Sequence, residues 1–146
     1  MLFRSIITQT GIWAEAANTS NTGRLLSIIE RTEGRMEVFA ASAHIPVCVM
    51  MIGGVGWMAG PACVVPKQSI ALYEAANAGD WTRAMELQRP LWQVNEIFAK
   101  YSIAACIKTA LELQGFAVGA PMQPQLPLGE ASRSEIAEVL RKLGAL

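Results

Sequence analysis

The chain has 146 residues, the length of about one domain with a single core. Twelve basic and twelve acidic side chains give a formal net charge of zero, so charge gives no reason to expect nucleic-acid binding or attachment to an anionic membrane surface. Hydrophobic residues make up 52% and charged residues 16% of the sequence, which indicates that part of the surface meets lipid or another protein chain.

In the first half of the chain, strand patterns alternate with helix patterns. A strand pattern is followed by a small polar loop at 17–23, and Gly34 marks the end of the first helix. The predicted elements are a strand at Ser5–Glu15, a helix at Thr22–Thr32, a strand at Met36–Ala41, a short helix from Pro46 to Met51 or Ile52, and a strand at Val55–Met58. This alternation predicts parallel strands joined by helical crossovers.

The second half of the chain is predicted to be helical. One helix begins at Pro66 and ends at Gly79, and Asp80 caps the next helix, which Pro90 kinks or restarts. Two further helices follow, at Ser102–Gln114 and after a capping box formed by Ser132 and Glu135, with a Pro-rich extended segment between them.

The segment from Ile45 to Pro66 has no charged side chain and is long enough to cross a bilayer, which needs about 20 apolar residues. Gly56 and Gly60 also have the spacing of membrane helix contacts. Four glycines and two internal prolines would interrupt a spanning helix here, so a buried strand of a parallel sheet is the favoured interpretation. A membrane-associated interaction protein is kept as an alternative hypothesis.

Cysteine and histidine content limits metal and redox chemistry. Cys48, Cys63 and Cys106 form no CxxC pair, and His44 is the single histidine. The sequence therefore predicts no metal site and no cofactor, and it fits reduced thiols in a cytoplasmic protein. The N-terminal segment has too short an apolar run for a signal peptide.

From Gly11 onward the sequence resembles the C-terminal half of the dihydrodipicolinate synthase and N-acetylneuraminate lyase family of pyruvate-dependent lyases. The segment GIWAEA (Gly11–Ala16) is similar to the family's sixth strand, and MEVFAAS (Met36–Ser42) is similar to the seventh. The strongest similarity is Gly53–Gln88, which covers the eighth strand and the helix after it. The order and spacing of these segments carry the resemblance, since no single motif is diagnostic.

The resemblance implies an α/β fold that is helix-rich: a partial (β/α)8 TIM barrel made of the last three βα units, plus a C-terminal helical extension. It divides the chain into a partial barrel at 1–65 and the last barrel helix with the extension at 66–146. Members of the family condense a lysine with the ketone of pyruvate, and the iminium then acts as an electron sink for aldol-type chemistry. Active residues lie at the carboxyl ends of the barrel strands.

The family's catalytic residues do not carry over to this sequence. The Schiff-base lysine is third in the family's GIK segment, where this chain has Trp13, and the relay tyrosine and carboxylate-binding loop belong to the first half of the barrel. The resemblance therefore implies no catalytic residue in this chain. Its candidate substrate-binding residues are Ser42, Gly54, Val55 and Gly56.

Other candidate residues are weaker. Lys67 is the lysine nearest to a strand, but it is expected at an exposed helix start, where nothing lowers an ammonium pKa. His44 lacks a nearby orienting carboxylate, and Glu15 is expected to be a surface or supporting carboxylate.

Two functional hypotheses follow. The first is a truncated lyase-family protein that lacks Schiff-base lyase activity alone. The second is the C-terminal subunit of a split pyruvate aldolase completed by another chain. Because a partial barrel has open strand edges, the expected partner is a second copy of the chain or a complementary N-terminal half-barrel.

Overall fold

Three short parallel strands form the sheet of this protein in its computed structural model, which describes residues 13–17, 22–33, 35–40 and 45–146, and only the backbone of residues 13–17 and 40. The strands are β1 (Trp13–Ala17), β2 (Met36–Ala40) and β3 (Gly56–Trp57), in the order β1-β2-β3. Both pairs of neighbouring strands are parallel, as the alternating pattern predicts.

Two helices connect these strands. Helix α1 spans Thr22–Thr32 and helix α2 spans Pro46–Met51, with the bounds predicted from the apolar stripe and from Pro46. The strands differ more from the prediction: β1 extends to Ala17, two residues beyond its predicted end, and β3 is two residues shorter than predicted. The upstream part of the predicted first strand and Gly34 lie outside the described residues.

The remaining helices are α3 (Pro66–Asn77), α4 (Trp81–Lys100), α5 (Ile103–Leu113) and α6 (Glu130–Lys142), with a 3-10 turn at Gly60–Cys63 before α3. Helix α4 continues through Pro90, although proline lacks the N–H that the helix needs. Buried Leu91 and Val94 continue the stripe of buried side chains past the proline. Among the described residues, no helix is both long and apolar enough to span a membrane.

The beginning of α6 corrects the sequence-based prediction. Helix α6 begins at Glu130 with Gly129 as its N-cap, so Ser132 and Glu135 lie inside the helix and form no capping box. The Glu135 carboxylate instead accepts hydrogen bonds from Lys100 Nζ at 2.6 Å and from Tyr101 Oη at 3.2 Å. Both donors come from a distant part of the sequence, which a local pattern cannot reveal.

The chain divides into two compact units. The first comprises Met1–Ala59 and Ala71–Gln88, and the second comprises Gly60–Ile70 and Arg89–Leu146. In the first unit, Leu25 of α1, Val38 of β2 and Val49 of α2 form a buried cluster that covers one face of the sheet. The partly buried residues packed against this cluster are Ile28, Ile29, Ile52 and Trp57.

In the second unit, helices α5 and α6 pack against each other. Their fully buried side chains include Cys106, Ile136 and Leu140. Ion pairs join Glu112 of α5 to Arg133 of α6, and Lys100 of α4 to Glu135 of α6. These pairs are largely exposed, so apolar burial supplies most of the stabilisation of this unit.

Candidate functional site

The register of the sheet determines which residues lie together at its carboxyl edge. Ala17 pairs with Ala40, and Ala40 pairs with Trp57, so the three strands end side by side. In parallel α/β folds, ligands and catalytic groups collect at this edge, because the loops that leave all the strands meet there. The position of each candidate site residue is therefore given relative to this edge.

Trp13 lies at the other end of its strand. It is the first residue of β1 and pairs with Met36, the first residue of β2, four positions before the carboxyl edge at Ala17. Glu15 lies in the middle of β1, opposite Val38. Ser42 and His44 belong to the segment after β2 that lies outside the described residues.

Two backbone hydrogen bonds, one donated by Gly53 and one by Gly54, end helix α2. Gly53 has a φ of +100°, which L-residues with side chains rarely adopt. Gly53 N–H donates to Met50 O at 3.0 Å and Gly54 N–H donates to Val49 O at 2.9 Å, the hydrogen-bond pattern of a Schellman motif. A Cβ on Gly54 would lie 2.8 Å from Val49 O, so the position requires glycine for packing.

Val55 and Gly56 connect this cap to β3. Val55 N–H donates to Val38 O at 3.0 Å, which aligns the chain with β2. Gly56 is buried and pairs with Phe39, and a Cβ on Gly56 would lie 3.0 Å from the Phe39 ring. Gly54 and Val55 therefore precede β3, and Gly56 is its first residue, so all three lie toward the amino end of that strand.

Met58, at the carboxyl end of β3, was not selected by sequence reasoning. It follows Trp57 directly and its side chain is 59% exposed. The signal that could have selected it is its position rather than its chemistry, since the residue after a parallel strand lies at the ligand-binding edge. A methionine at such a position contributes an adaptable apolar contact and no acid–base group.

None of the four lysines has the surroundings of a nucleophilic amine. Lys67 is exposed at the second position of α3, as predicted. Lys100 and Lys142 form ion pairs with Glu135 and Glu138. The hydrogen bond from Lys100 to Glu135 raises the pKa of Lys100 above its usual range, and both bonds of Glu135 lower the pKa of that carboxyl, so both groups are charged at neutral pH.

The contacts and burial of Lys108 and the cysteines do not indicate a catalytic role. Lys108 Nζ donates to Val118 O at 2.8 Å, which fastens the segment after α5. Burial raises the pKa of the Cys106 thiol to about 11, so this thiol is a poor nucleophile. Cys63 is exposed and Cys48 is half-buried, and the described residues contain no group of three or more metal-ligating side chains.

Comparison with known proteins identifies the family. Residues 6–143 match the dihydrodipicolinate synthetase family. The 4-hydroxy-tetrahydrodipicolinate synthase of Methanosarcina barkeri is 27% identical over 129 residues, which are 88% of this chain and 44% of the relative. The enzyme of the same name from Natronomonas pharaonis is 30% identical over 131 residues, 87% of this chain and 44% of the relative.

Solved structures show the same fold. Dihydrodipicolinate synthase from Aquifex aeolicus has a TM-score of 0.84 and 23% identity, over 90% of this chain and 45% of that chain. The synthase from Thermotoga maritima has a TM-score of 0.85 and 20% identity, over 91% of this chain and 46% of that chain. These structures are TIM barrels, and this chain is helix-rich α/β with a small parallel sheet.

The chain thus spans somewhat less than half the length of the curated relatives and solved structures that it matches. Since the family match extends over nearly all of the sequence and the fold agrees with it, this chain belongs to the dihydrodipicolinate synthetase family.

Proposed function

We propose that this chain is the last three βα units of a dihydrodipicolinate synthase-like barrel with its helical extension, and that it has no Schiff-base lyase activity of its own. The observation that carries the proposal is Trp13, which stands at the lysine position of the family's GIK segment. The lone pair of an indole nitrogen is delocalised into the ring, so it cannot attack a ketone to form an iminium.

The surroundings of the other amines support the same proposal. An amine nucleophile must be neutral, and burial or a neighbouring cation is needed to lower its pKa toward 7. The ion pair with Glu135 raises the pKa of Lys100 and so favours its ammonium form. Lys142 forms an ion pair with Glu138. Lys67 is exposed to solvent at the start of α3.

Sodium borohydride trapping with pyruvate tests the proposal. An iminium between a lysine and pyruvate would be reduced to a stable secondary amine, and intact-protein mass spectrometry would detect the added mass. We expect no adduct on this chain under conditions in which a 4-hydroxy-tetrahydrodipicolinate synthase is fully labelled. A stoichiometric adduct would contradict the proposal, and peptide mapping would then identify the lysine involved, with Lys67 the first to inspect.

The proposed substrate-binding residues are Ser42, Gly54, Val55 and Gly56, which would form the substrate-side wall of the barrel. The two glycines also have structural roles. Gly54 is explained by the cap of α2, and Gly56 gives room to the Phe39 ring. Met58, at the carboxyl end of β3, is added to the proposed wall because ligands bind at that edge.

A partner chain that completes the sheet is the second candidate function, and the sheet edges favour it. Among the described strands, β1 and β3 each pair only with β2, so each has an edge with unpaired backbone groups. On β2, alternation places Phe39 on the face opposite the Val38 cluster, and parallel sheets normally bury both faces. The partner is a second copy of this chain or a complementary half-barrel that also supplies the missing catalytic groups.

The mass of the protein in solution tests the need for a partner. We expect light scattering after size exclusion to give a multiple of the 15.7 kDa chain mass at micromolar concentration, or co-purification with a second polypeptide. One solved relative is described as a monomeric variant, so self-association does not follow from the fold alone. A monodisperse 15.7 kDa species would contradict this proposal.

A further inference from the structure

We draw no further inference here: the strongest candidate, the face of the sheet that carries Glu37 and Phe39 opposite the Val38 cluster, belongs to the partner surface already described, and nothing in the structure shows what covers it.

Discussion

Replacing Leu25 with alanine is expected to lower the free energy of unfolding by about 2–5 kcal/mol, the usual cost of removing a buried leucine side chain. Leu25 is 1% exposed and lies in the cluster with Val38 and Val49. Its side chain joins α1 to the face of the sheet, and the surrounding β-branched side chains have little freedom to fill a cavity. Chemical denaturation followed by circular dichroism measures the change.

The next residue of the same helix provides the control. Leu26 is 41% exposed, so Leu26→Ala makes the same change of side chain in the same helix at a much less buried position. We expect its cost to be less than about 1 kcal/mol, as for most surface substitutions. Equal losses for the two variants would mean that α1 does not pack through Leu25.

Replacing Gly54 with alanine is expected to lower the free energy of unfolding by about 2–3 kcal/mol, at the upper end of the cost of overpacking a core. The new Cβ would lie 2.6 Å from Val49 Cγ1 and 2.8 Å from Val49 O. The side chain of Val49 could rotate, but its carbonyl is held by the hydrogen bond from Gly54 itself. The end of α2 must therefore move, and with it the start of β3.

The same substitution at Gly23, in helix α1, serves as the control. Gly23 is exposed in the first turns of α1, where alanine is favoured over glycine by about 0.5–1 kcal/mol. Gly23→Ala should therefore leave stability unchanged or raise it. If Gly54→Ala were equally harmless in denaturant melts, the cap of α2 would not constrain residue 54, and a substrate-binding role would become the better explanation of this glycine.

Local sequence signals predicted the helices well because helix ends are determined locally. The bounds of α1 and α2 agree with the apolar stripe and with Pro46, and the Asp80 cap is confirmed by its 3.0 Å hydrogen bond from Arg83 N–H. Gly79 follows the end of α3, as predicted, and has a positive φ. A backbone that needs a left-handed residue selects glycine without help from distant parts of the chain.

The predicted capping box was wrong because contacts with distant residues, and not local spacing, determine where Glu135 binds. Ser132 and Glu135 have the correct spacing, but Glu135 is bound by Lys100 and Tyr101, about 35 positions away in the sequence. Strand ends were also predicted poorly, because a strand ends where its neighbour stops pairing. For β3 that neighbour is β2, and only Phe39 and Ala40 pair with it.

The sequence by itself determined the family, the parallel α/β character and most helix bounds, because these depend on the order of short segments and on local backbone chemistry. Only the tertiary structure decided where the candidate residues lie. The register placed Trp13 four positions before the carboxyl edge and Gly54 before β3, and it brought Ala17, Ala40 and Trp57 together. Likewise, hydrogen bonds of Gln68 and Gln114 join segments that are far apart in the chain. Long-range pairing of this kind leaves no periodic trace in a single sequence.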